Sequence, residues 1–135
     1  MAHSMKKVKF SFEDLEVWQK AVEFAKRVID LIERVETEQG RKHYRLIEQL
    51  EACSTSIALN IAEGKGRYSK KEFIQFLYIA RGSLYETVTL LTIFYRNKWI
   101  SDIQLNEMKC FGDEIGKMIS SLINSIKKQM IAVSS

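Results

Sequence analysis

The chain has 135 residues, of which 46% are hydrophobic and 28% charged, with a formal net charge of +4 and no proline. Such values are ordinary for one soluble globular domain with room for a real core. No apolar run approaches the roughly 20 residues that span a bilayer, and a charge of this size does not by itself argue for a nucleic-acid partner.

The absence of proline favours long uninterrupted helices. The amino terminus lacks the apolar core of a signal peptide, and with two cysteines a reduced, cytoplasmic setting is expected. Met1–Ser4 followed by Met5 has the look of a cloning remnant, so His3 carries no meaning. The domain assignment is a disordered or cloning-derived stretch over 1–11, a helical bundle over 12–130, and a frayed tail over 131–135.

The first predicted helix covers Glu13 to Val35 and carries two apolar seams at spacings of three and four. One is Leu15, Trp18, Val22, Ala25, Ile29 and Ile32; the other is Val17, Ala21, Phe24, Val28, Leu31 and Val35. Two adjacent seams make a broad apolar face that suits several neighbours. Gly40 punctuates the first connection. The second helix covers Tyr44 to Glu63, with Gly64 expected as a left-handed stop. The third opens on the capping box Ser69-Lys70-Lys71-Glu72 and continues through Phe73, Phe76, Leu77, Ala80, Leu84, Val88 and Leu91 to Asn97. The fourth opens on a second box, Ser101-Asp102-Ile103-Gln104, with Met108, Phe111, Ile115, Ile119, Leu122 and Ile126 as core positions. Cys53 and Cys110 fall inside helices and read as small apolar fillers. Nothing alternates with period two for long enough to be a strand. The expected fold is all-α, an antiparallel up-down-up-down four-helix bundle.

Gln49, Ser56, Asn60 and Glu63 lie three, four or seven apart, on one narrow stripe of the second helix. Apolar neighbours flank it, so its polar groups need partners. Ser83 and Glu86 of the third helix are the candidates, with Ser56 and Asn60 reaching Ser83 and Glu86 meeting Gln49 or another subunit. A carboxylate site on Glu63 and Glu86 is the sharper reading. A hydrogen-bonded network that sets helix register and subunit pairing is the one favoured, because the Glu-x-x-His pairs of metal-binding bundles are missing. There is no HExxH, P-loop, dinucleotide glycine pattern or nucleophile elbow. Gly64-Lys65-Gly66-Arg67 lacks the strand and the ending of a phosphate loop, and Gly112-x-x-x-Gly116 reads as close helix packing or a weak point in the helix. The chain is therefore expected to be no enzyme, with no catalytic residue, metal or cofactor.

Positive charge gathers at the connections: Arg41, Lys42 and Arg45 at the first, Lys65, Arg67, Lys70 and Lys71 at the second. Tyr44 and Tyr68 accompany them, as base-stacking groups would. An up-down bundle gathers Lys6, Lys7, Lys9, Lys127 and Lys128 at the second connection's end, and Arg96 and Lys98 at the other. On one subunit such charge reads as a solvated surface; on a ring it becomes a multivalent basic rim.

Three blocks in order resemble a known family. They are Phe12, Asp14-Leu15 and Val17-Trp18; Gln49-Leu50, Ser56-Ile57 and Asn60-Ile61-Ala62-Glu63-Gly64; and Phe73, Phe76-Leu77, Ile79-Ala80, Gly82-Ser83 and Glu86. They are similar to the small bacterial four-helix proteins first met in intervening sequences of 23S ribosomal RNA genes, across roughly Phe12 to Ile126. The resemblance implies a left-handed bundle assembling as a homopentamer, with no established enzymatic activity. A related protein, the accessory protein of diversity-generating retroelements, is similarly pentameric, binds nucleic acid through basic surfaces and partners a reverse transcriptase. Two departures stand out: Glu51 follows Gln49-Leu50 where members often carry basic residues, and no proline precedes the second helix. The first moves the expected nucleic-acid contacts to the connections. The resulting expectation is an oligomer that binds RNA or DNA through Lys65, Arg67, Lys70, Lys71, Arg41, Lys42 and Arg45. The alternative is an adaptor that docks a protein partner without nucleic acid. No membrane role is expected in either case.

Overall fold

The computed structural model describes residues 5–134. Met1–Ser4 and Ser135, which belong to the expected terminal stretches, lie outside the described residues. A short 3-10 turn, Ser11–Asp14, precedes four helices: α1 (Glu16–Gln39), α2 (Tyr44–Lys65), α3 (Lys70–Arg96) and α4 (Asp102–Ser134).

Helix α1 starts later and ends later than its pattern predicts. Glu13 turns back so that its carboxylate accepts from the Phe10 amide at 2.8 Å, which holds the 3-10 turn apart from the helix. At the far end Glu36 to Gln39 contain no breaker, and the helix continues until Gly40, whose φ of 71° only glycine adopts freely. The seam Val17, Ala21, Phe24, Val28, Leu31 and Val35 is buried along its whole length. The other seam flanks the core: Ala25 and Ile32 are buried, Leu15 and Trp18 half-buried, and Val22 exposed. The broad face is therefore one core seam with a partly wetted shoulder.

Direction alternates along the chain. Ser56 meets Ser83 and Cys53 meets Thr87, so α2 and α3 are antiparallel. Arg81 meets Ser120 while Tyr78 meets Lys127, which makes α3 and α4 antiparallel. Leu15 and Val17 lie by Ser121 and Leu122, whereas Leu31 and Arg34 lie by Gln104 and Met108, so α4 runs against α1. Phe24, Val28, Leu50, Ile57, Ile61, Leu77, Leu91, Phe94, Ile115 and Ile119 fill the centre, all nearly inaccessible to solvent. Burial of each such side chain contributes roughly 1.5–3 kcal/mol.

At one end the first and third connections touch through His43, which stacks on Trp99 at 4.1 Å, and Trp99 meets Phe94 edge-on at 5.0 Å. At the other end Gly64 departs from its expected role. It lies inside α2 and is buried, and the cap falls to Gly66, with an ordinary right-handed φ of −80°. A Cβ on Gly64 would stand 2.7 Å from Phe76 Cβ and 2.9 Å from Phe73 Cδ1. Glycine is needed there for the close approach of α3 and not for a left-handed turn.

Candidate nucleic-acid interface and the polar seam beside it

The α2–α3 pairing carries a line of hydroxyl, amide and thiol groups. Ser56 Oγ and Ser83 Oγ are 2.9 Å apart across the two helices. Asn60 Nδ2 donates to the Ser56 carbonyl and to Ser56 Oγ, both at 2.8 Å. One turn further into the bundle, Thr87 Oγ1 lies 2.8 Å from the Ser83 carbonyl and 3.2 Å from Cys53 Sγ. Thr87 is fully buried and Cys53 nearly so. Burial pushes the Cys53 thiol up from its ordinary range, so it stays protonated and serves as a packing group. No buried side-chain oxygen or nitrogen among the described residues lacks a partner.

Of the six residues expected to share this network, the structure joins Ser56, Asn60 and Ser83. Gln49, Glu63 and Glu86 are exposed and stand outside it. Glu63 pairs instead with Arg67 at 2.7 Å on its own helix. The register explains the separation. With Ser56 opposite Ser83, Glu86 is level with Cys53 and Glu63 is level with Phe76, about ten residues or 15 Å of helix away. Two carboxylates so placed cannot share a proton or a metal. Among the described residues, no group of three or more His, Cys, Asp or Glu side chains is arranged to hold a metal ion. Cys53 and Thr87 are the members that sequence reasoning missed. The signal was present, since Thr87 is four residues after Ser83 and Cys53 three before Ser56, but both side chains pass for apolar fillers.

Beyond the seam, the α2–α3 connection is strongly basic. Lys65, Arg67, Lys70 and Lys71 are all exposed. Arg67 is held twice, by Glu63 and by the face of Phe76 at 4.8 Å. Among the described residues no ion pair engages Lys65, Lys70 or Lys71. Tyr68 stands fully in solvent between them. From the same end, Lys127 donates to Tyr78 Oη at 2.9 Å, which lowers the phenol's proton affinity, while Lys9 pairs with Asp14 at 2.5 Å. At the opposite end Arg41, Lys42 and Arg45 are exposed, and Arg45 Nε donates to Tyr44 Oη at 3.3 Å.

The fold and site together define a small all-helical bundle protein with a polar α2–α3 seam and basic ends. It belongs to the 23S rRNA-intervening sequence protein family, whose sequence model matches residues 13–121. Among solved structures it is similar to a protein of unknown function from the S23 ribosomal protein family of Bacteroides thetaiotaomicron. That similarity has a TM-score of 0.74 at 32% identity and covers 79% of this chain and 97% of the other. A comparison with curated proteins gives no match. Neither description names a reaction. No helix among the described residues is long and apolar enough to cross a membrane.

Proposed function

We propose that this protein is a non-enzymatic, self-associating bundle, a pentamer in its working form, that binds RNA or DNA through its basic ends in a reducing, cytoplasmic setting. The observation that carries the reading is the cluster of Lys65, Lys70 and Lys71, exposed and without a carboxylate partner among the described residues. Like charges crowded into one connection repel one another unless an anion neutralises them. A phosphate backbone supplies that anion, and the exposed Tyr68 beside the cluster suits a base. Self-association is supported by Leu59 at 66% and Ile79 at 52% exposure, apolar side chains flanking the Ser56–Ser83 contact.

The test is a salt series with labelled RNA and DNA, run alongside light-scattering mass. Binding that weakens steeply with salt is expected, because bound phosphate releases counterions. Reversing Lys65, Arg67, Lys70 and Lys71 to glutamate should weaken it tenfold or more, and flatten the salt slope by about one unit per cation removed. Unchanged binding in that variant would overturn the assignment of this end. A wild-type protein that retains no nucleic acid at low salt, yet purifies with a defined protein, would replace the reading with that of an adaptor.

A further inference from the structure

The α3–α4 side of the bundle holds a groove of about 790 Å³ that the sequence does not announce. Its floor is made by glycine. Gly112 and Gly116 let α4 settle on Leu84, since a Cβ at either would stand 3.2–3.3 Å from that leucine's methyl groups. The walls carry Tyr85 and Thr89 from α3 and Lys109, Lys117, Ser121 and Asn124 from α4, with Asp113 the one carboxylate lining it. Asp113 pairs with Lys117 at 2.9 Å, but the pair is exposed and worth little, so Lys117 can still turn to a phosphate. Tyr85 is 60% exposed. Toward the α2–α3 connection, Arg81 donates to Ser120 at 3.0 Å and lies over the Tyr78 ring at 4.9 Å, and Lys127 caps the Tyr78 hydroxyl. A line of cations and tyrosines thus leaves the basic end and follows α3 for about 17 Å from Tyr78 to Thr89.

We infer that this groove holds a short run of single-stranded nucleic acid, with a base stacked on Tyr85 and phosphates on Lys109, Lys117 and Arg81. The inference rests on the nucleic-acid reading above and specifies its strand class and path. Charge decides the occupant. A protein helix laid here would have to bury Lys109, which has no ion-pair partner among the described residues, together with the exposed Lys117–Asp113 pair. A phosphate chain instead neutralises Lys109 and Arg81 and leaves hydroxyl and amide groups to meet base edges. Strand class follows from Tyr85: a duplex keeps its base faces stacked on one another, and only an unpaired base can present a face to a tyrosine.

The experiment uses the full chain and three labelled probes of about twelve units: oligothymidylate, its duplex with oligoadenylate, and an abasic oligomer with the same phosphates. Oligothymidylate should bind more tightly than both others, and Tyr85→Ala should weaken it by about five- to hundredfold while leaving the abasic oligomer unchanged. Tyr85→Trp should retain binding and show fluorescence quenching on titration with oligothymidylate. Paired reversal of Lys109 and Lys117 to glutamate should lower the salt slope by about two. Equal affinity for duplex and single strand, or a Tyr85→Ala variant indistinguishable from wild type, would overturn the inference. If only reversal at Lys65, Arg67, Lys70 and Lys71 abolishes binding, the groove falls and the basic-end reading stands. If wild type binds none of the probes, both fall. A change of light-scattering mass in the Tyr85 variants without loss of binding would assign the groove to a second copy instead.

Discussion

At Gly64 a single hydrogen atom is all that fits between α2 and α3. The missing Cβ would meet the Cβ of Phe76 and the ring of Phe73, and neither is the yielding end of a flexible side chain. Gly64→Ala should therefore cost about 1–3 kcal/mol by overpacking, despite alanine's better helix propensity, as read from urea denaturation. An unchanged or raised midpoint would contradict the close approach. The two thiols make a second contrast at this scale, because Cys53 is buried against Thr87 and Cys110 is exposed. One fast-reacting thiol per chain is expected with a colorimetric disulfide reagent, and the second should appear only on unfolding. Burial raises the Cys53 proton affinity in the folded state alone. Above the ordinary thiol range the folded chain then holds more protons than the unfolded one, so stability should fall as pH rises there. Cys53→Ala should remove that part of the decline.

Among the elements, the α3–α4 junction is the most closely specified. Trp99 N donates to the Phe94 carbonyl and Lys98 N to the Tyr95 carbonyl, both at 2.9 Å, and the Trp99 and Phe94 rings touch. That is a Schellman end with Lys98 at its left-handed position, φ 64°. A lysine there carries a steric penalty that glycine avoids. Lys98→Gly should raise stability by about 0.5–1 kcal/mol, and a loss would mean that the lysine makes a compensating contact. Three residues on, Ser101 accepts from the Gln104 amide at 3.1 Å and Gln104 returns a bond to the Ser101 amide at 2.8 Å. Ser101→Ala should cost about 0.5–2 kcal/mol, measured by the same denaturation. The box predicted at Ser101 closes in both directions, whereas at Ser69 only half of it forms: the serine accepts from the Glu72 amide. Caps are legible because they are made within four residues. The role of Gly64 was not, because its neighbours lie on another helix.

For the molecule as a whole, the exposed α2–α3 face is where the proposed assembly can be tested. Gly82 lies mid-helix on that face with nothing within 4 Å of a built Cβ. In a lone subunit Gly82→Ala should stabilise α3 by about 0.5–1 kcal/mol. If that face pairs with another subunit, the same methyl group should lower the light-scattering mass at a given concentration while the thermal midpoint of the dissociated chain rises. Leu59→Glu should reduce the mass further and leave helicity intact, since Leu59 points out of its own bundle. A full-sized assembly in both variants would move the interface elsewhere. Four helices, their order and the basic ends were readable from periodicity and capping. The seam's true membership was not, since Glu63 and Glu86 share stripes with its members and only the register of α2 against α3 separates them.

Sequence alone determined what depends on neighbours along the chain: helix number, the capped starts of α3 and α4, the two apolar seams of α1, the clustering of lysines at the second connection, and the family. Tertiary structure decided what depends on neighbours across helices. Within one chain it joined Ser56, Asn60 and Ser83 with Thr87 and Cys53 and left Gln49, Glu63 and Glu86 outside that network, turned Gly64 from a stop into a contact, and opened a groove beside Tyr85 over Gly112 and Gly116. The physical reason is the same in each case. Helical periodicity places a residue on a face, but the axial register and spacing of the opposing helix decide what that face meets.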